Sequence, residues 1–128
     1  MNLKTLIAAA LFCLLPSHLQ AREADTAPFH FQKLESDYEW DEDLEKQRAV
    51  VARAVPRGMS FWTALDILKQ AGARCVGDRH DPQVARCVYS DWITVHDYGR
   101  ADLFWTAVVR LADGKVETLS LDRVVDEK

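Results

Sequence analysis

Apolar residues recur along this chain first at the period of a helix and then at that of a strand. Between Ser36 and Val55, the residues Trp40, Leu44, Val51 and Val55 fall on one stripe at helical spacing. Ser36 with Glu39 three residues on is a capping-box signature. Glu39, Asp41, Glu42, Asp43 and Glu45 crowd the first turns, and Arg48, Arg53 and Arg57 lie toward the end. That order complements the helix macrodipole, at about 0.3–1 kcal/mol per well-placed charge. Pro56 and Gly58 stop the helix. Ser60 then reads as the N-cap of a second helix, with Phe61, Ala64, Leu65, Leu68 and Ala71 on one face and Gly72 as its left-handed end. Two short amphipathic helices must pack on something larger.

From Ala73 the pattern changes. Ala73–Val76 reads as a first strand, Asp78 to Pro82 as a polar turn, and Val84–Tyr89 as a second strand. Trp92–Tyr98 reads as a third strand, or as a continuation of the second past a kink at Ser90-Asp91. In Leu103–Leu111, Trp105, Ala107, Val109 and Leu111 line one face while Thr106 and Arg110 face the other way, which is the mark of a strand. Asp113-Gly114 turns it back into Val116–Val125. A three-residue loop with Gly114 as a left-handed bulge residue sets Trp105 opposite Leu121 and Ala107 opposite Leu119. That choice gathers the apolar residues on one side and leaves Thr118, Ser120 and Asp122 outward. The expected fold is α+β: two helices on one face of a largely antiparallel meander of three to four strands.

Composition then adds an address. Residues 1–21 carry Lys4, an apolar run from Leu6 to Leu15, a break at Pro16-Ser17 and a small residue at Ala21, the layout of a cleavable signal peptide. The run is well short of the roughly 20 residues that span a bilayer, so no stable membrane insertion is expected after cleavage. Residues 22–35, with Pro28 and Phe29-His30-Phe31, read as an extended leader, and residues 36–128 as a single domain. Loss of Lys4 lowers Lys+Arg from 16 to 15 against 20 Asp+Glu, a net charge of −5. No basic stripe offsets it, so nucleic acid is not an expected partner. Of three cysteines, Cys75 and Cys87 remain in an exported and oxidising compartment, periplasmic or secreted. A disulfide between them closes a loop fastening helix to sheet, and stabilises the fold by about 3 kcal/mol on chain-entropy grounds.

Chemistry is sparse. His80, His96, Asp78, Asp81 and Asp97 lack the spacing of a metal-ligand set, no glycine-rich phosphate loop occurs, and no cofactor is expected. Ser90 has no nucleophile-elbow motif around it. Ser90, His96 and Asp102 make a triad only on paper, and His96-Asp97 beside Tyr98 is the acid–base candidate. The second half is instead rich in aromatics. If Trp105 faces the helices, Phe104 faces out by strand alternation. An open sheet face with Phe104, Val108, Tyr98 and Trp92 is the candidate surface for another protein.

Gly58-Met59-Ser60 opening a helix, its Ala64-Leu65-x-x-Leu68 face and the strands ending in Leu111-Ala-Asp-Gly-Lys-Val116 resemble the small bacterial envelope domains of the SmpA/OmlA (BamE-like) type, over residues 57–125. The resemblance implies a two-layer module that acts by protein–protein contact in the envelope, without catalysis. The chain departs from that pattern in having Gly72-Ala73-Arg74-Cys75 after the helix, and no functional residue is carried over. The expected function is a periplasmic, non-enzymatic protein-binding module: an envelope accessory factor, or an inhibitor or immunity-type protein. A small hydrolase using His96 or His80, and a carrier of a small apolar ligand, are the alternatives.

Overall fold

In a computed structural model, which describes residues 27–96 and 99–127, strand alternation and helical stripes combine into two layers. The elements are α1 (Phe31–Asp41), α2 (Leu44–Ala54), α3 (Phe61–Gln70), β1 (Arg74–Gly77), β2 (Val84–Val95), β3 (Gly99–Ala112) and β4 (Lys115–Glu127). The strands form one antiparallel meander in the order β1-β2-β3-β4, and the helices cover one of its faces. The α+β class, the antiparallel sheet and the Cys75–Cys87 disulfide agree with the sequence reading.

The helical half differs from it. Residues 22–26 of the expected leader, like the expected signal peptide, lie outside the described residues. Its last part is not extended: α1 begins at Phe31, and Phe31 and Leu34 are core residues. The single helix expected from Ser36 is two helices. Glu42 adopts the left-handed conformation at φ 52° and ends α1. Asp43 then caps α2, its Oδ1 accepting from Lys46 N at 3.0 Å. Part of the acidic run thus builds a turn: Asp41 accepts from both Asp43 N (3.0 Å) and Lys46 Nζ (2.9 Å), and these bonds hold its carboxyl below the usual range. Ser36 is no cap; its hydroxyl donates within α1 to Gln32 O. Trp40, which the stripe placed inward, is 92% exposed, because the buried face of α1 runs through Phe31, Leu34 and Glu35 instead. Ser60 stands at the N-cap position of α3 without a side-chain cap bond; its backbone bridges to Lys115.

Of the two readings of Trp92–Tyr98, the continuation of the second strand holds: β2 runs through Ser90-Asp91 as one strand of 12 residues. The disulfide joins residues directly opposite each other on β1 and β2, Cα atoms 4.0 Å apart, so it ties strand to strand and not helix to sheet. The helix is held otherwise. Gly72, at φ +115°, ends α3, and a β-carbon there would stand 3.3 Å from the Tyr89 ring. Phe31 N donates to Ala71 O at 3.0 Å, pinning the start of α1 to the end of α3.

The last hairpin corrects the expected register. Asp113 (φ 54°) and Gly114 (φ 74°) form a two-residue turn of the kind favoured in hairpins. A bulge at Arg110/Leu111 then shifts the pairing, so that Ala107 faces Leu121 and Trp105 faces Arg123. The extra residue restores the parity that the short turn would have broken. Leu119 and Leu121 therefore do point to the helix side, as argued, but two residues out of the expected register.

Candidate protein-binding face

Alternation along β3 separates two chemistries. Ala101, Leu103, Trp105, Ala107 and Val109 are buried beneath the helices, and Asp102, Phe104, Thr106, Val108 and Arg110 face away from them. Cross-strand pairing extends the outer face. Phe104 lies between Ser90 and Val124, Val108 between Arg86 and Ser120, and Asp102 between Trp92 and Asp126. On β1, Val76 lies opposite Arg86 and Arg74 opposite Val88. Trp92 (52% exposed), Val124 (53%) and Val76 (57%) are thus three of the large exposed apolar side chains, all on one side of the sheet. Nothing among the described residues is layered over this face.

Each residue expected at a docking surface has a definite place. Phe104 and Val108 are half-buried by their strand neighbours, with outer faces to solvent. Trp92 stands at the end of β2 with the Arg100 guanidinium 4.5 Å from its ring centre, a cation–π contact that fixes the ring. Tyr98 lies outside the described residues. Beside this set, Gly72, Ala73, Arg74, Val76, Val88 and Ser90 line a groove of about 600 Å³. It sits where β1 stops opposite Val88, leaving residues 89–95 of β2 paired on the β3 side only. Asp91 occupies part of that edge, its Oδ1 accepting from Trp92 N at 2.8 Å. The opposite edge is also obstructed: Arg48 Nε donates to Leu121 O (2.8 Å) and its Nη2 to Asp122 Oδ1 (2.8 Å). Such plugs discourage strand-to-strand aggregation and leave the flat face as the sheet's accessible apolar surface.

The inner face holds a polar cluster that the sequence reading missed. Glu35 on α1 is buried, and its Oε1 accepts from Arg123 Nε (2.8 Å) and Trp105 Nε1 (2.9 Å) while Oε2 accepts from Arg123 Nη2 (2.9 Å). The Arg123 guanidinium also lies 4.3 Å from the centre of the Tyr38 ring, which meets Trp105 edge-on at 6.0 Å. The Glu35 hydrogen bonds hold Arg123 in its charged form. Glu39, one turn on, has its carboxyl raised above the usual range by desolvation and then by the Glu35 charge. The signal was present: Glu35 falls between Leu34 and Tyr38 on the buried stripe, and Arg123 has the parity of Leu119 and Leu121 on β4. With both oxygens of Glu35 engaged, this cluster orients α1 on the sheet.

Among the chemical candidates, His80 is exposed in the β1–β2 loop, and His96 at φ 50° begins the β2–β3 turn, 85% exposed and 3.8 Å from Glu127. Ser90 and His96 lie six residues apart along the same extended strand, about 20 Å at the strand rise, so the paper triad is not assembled. Among the described residues, no group of three or more His, Cys, Asp or Glu is placed to hold a metal ion, and no helix is long and apolar enough to cross a membrane. Comparison of the chain with protein-family models, with curated proteins and with solved structures finds no match in any of the three.

Proposed function

We propose that this chain is an exported, non-enzymatic protein-binding module of the bacterial envelope, periplasmic or secreted, that docks another protein on the open face of its sheet. One observation carries the reading: Trp92, Val124 and Val76 are exposed beside Phe104 and Val108 on a face that nothing among the described residues covers, while the other face is packed under three helices. Aromatic and aliphatic anchors ringed by charge are the usual make-up of a docking patch. Around this patch stand Arg74, Arg86, Arg100, Asp122 and Asp126. An accessory factor and an inhibitor or immunity-type protein both act through such a surface. The test is affinity capture from the envelope fraction with the chain as bait, beside Phe104→Ala and Val108→Asp variants checked for folding by circular dichroism. A partner held by the parent chain and lost by both variants is the expected result; equal recovery on all three sinks the reading.

A further inference from the structure

The strands carry the arginines Arg74, Arg86, Arg100, Arg110 and Arg123, and the last three are answered from within the molecule. Arg110 pairs with Asp81 at 3.2 Å, Arg123 with Glu35 at 2.8 Å, and Arg100 lies over the Trp92 ring. Arg74 and Arg86 are exposed and have neither a carboxylate nor a ring partner among the described residues. They stand together. Arg74 lies opposite Val88 and Arg86 opposite Val76, so the two cations are diagonal neighbours on the outer face, with the two valines on the other diagonal. Residues so placed are about 7–8 Å apart. No acid occupies an outward position of β1 or β2 to offset them. On a chain of net charge −4, this corner is a local excess of positive charge. Arg74, Val76 and Val88 also line the groove beside β1, and Arg86 lies opposite Val108, so the corner joins the apolar patch.

Resting on the reading of this face as a protein-binding surface, we infer that the partner is acidic at this corner: an extended segment of another protein, with carboxylates at alternate positions, lies across β1 and β2. In an extended chain, side chains two residues apart share one side and stand about 6.6–6.8 Å from each other. That spacing is close to the spacing of the two arginines. Each guanidinium is a planar fork that takes a carboxylate through two hydrogen bonds. An apolar side chain two residues further on, on the same side, reaches the groove beside Arg74. The arginines set the charge and register of the partner, and the valines, with Val108 beyond them, supply the apolar area. A phosphate polymer is the competing chemistry, since guanidinium groups also recognise phosphate. It would bring further charge against an acidic chain and has nothing to place against Val76 and Val88.

Amide NMR of the isotope-labelled chain tests this, in a titration with the end-blocked peptide Glu-Ser-Glu-Ser-Leu-Ser at about 20 mM salt, where screening is weak. Both acids and the leucine of that peptide share one side when it is extended. Saturable shifts at residues 72–77 and 86–90, complete by about 10 mM peptide, are expected of a weak, small contact. Arg74→Glu/Arg86→Glu should weaken binding about tenfold or more, since it sets like charges together at two points. Both side chains are exposed, and circular dichroism checks that the variant folds. The counterpart Lys-Ser-Lys-Ser-Leu-Ser should move none of these amides. Absence of saturable shifts there, binding undiminished in the double variant, or equal binding of the lysine peptide overturns the inference. So does a thymidine oligonucleotide that moves the same amides at lower concentration than the acidic peptide. In each of those cases, loss of a captured protein on Phe104→Ala and Val108→Asp leaves the broader reading standing, while capture indifferent to both removes that reading as well.

Discussion

Replacing Arg123 with Met isolates the charge at the inner cluster, because the aliphatic stem is kept. The Glu35 side chain is 9% exposed and that of Arg123 14%, so water does not replace the lost donors. Of three hydrogen bonds to the Glu35 carboxylate, only that from Trp105 Nε1 survives, and Oε2 is left with none. Breaking a buried pair by removing one member costs about 3–5 kcal/mol, against a net stability of roughly 5–15 kcal/mol for a domain. With a urea m-value of about 1–3 kcal/mol/M, the unfolding midpoint should fall by roughly 1–5 M. The assay is urea unfolding at neutral pH, followed by tryptophan fluorescence and far-UV circular dichroism. Adding Glu35→Gln to the Arg123→Met background should recover about 2 kcal/mol, because the orphaned charge goes and an acceptor for Trp105 remains. A loss below about 1 kcal/mol in the single variant, or a further loss in the double, refutes the view that an uncompensated buried charge sets the penalty.

Three more outcomes follow from the packing and the titrating groups. Gln47 is wholly buried on α2, and neither its Oε1 nor its Nε2 has a partner among the described residues; Gln47→Leu should therefore raise stability by about 1–3 kcal/mol in the same urea assay, and a loss would show that the amide is satisfied. The Tyr89 phenol is pushed up to about 12 by burial first and by its hydrogen bond to Asp91 second. Being raised, it contributes stability that is whole below pH 10 and is lost as pH climbs toward 12, about 1–2 kcal/mol after allowance for its part exposure. Tyr89→Phe should flatten that decline, and an unchanged slope would count against the assignment. Cys75→Ser/Cys87→Ser should cost about 3 kcal/mol, read as a lower thermal midpoint equal to that of the parent chain under reductant.

The strands were legible from the sequence because period-2 alternation is insensitive to small errors: Trp105, Ala107 and Val109 face inward whether Trp105 pairs with Leu121 or with Arg123. The register was not legible, since it depends on a bulge whose only trace is one extra residue between a two-residue turn and the strand. The first helices misled for a different reason. The run of acids from Glu39 to Glu45 reads as the start of one dipole-ordered helix, yet Asp41 and Asp43 spend their oxygens on a chain reversal. That choice hides the true stripe through Phe31 and Leu34, which aromatic stacking of Phe31 on Tyr89 (5.5 Å) fixes against the sheet. The outer-face residues Phe104 and Val108 were legible by parity alone, whereas the facing of Trp92 needed its pairing with Asp102.

Glu35 and Arg123 are 88 residues apart in sequence, and that separation orders events in time. As synthesis proceeds, the three helices emerge with nothing to lie against, and the acid on the first must wait, hydrated, for a cation in the last strand. Non-local closure of this kind is slow. A nascent chain that lacks its last strand cannot complete this cluster, so its closure waits for the end of synthesis.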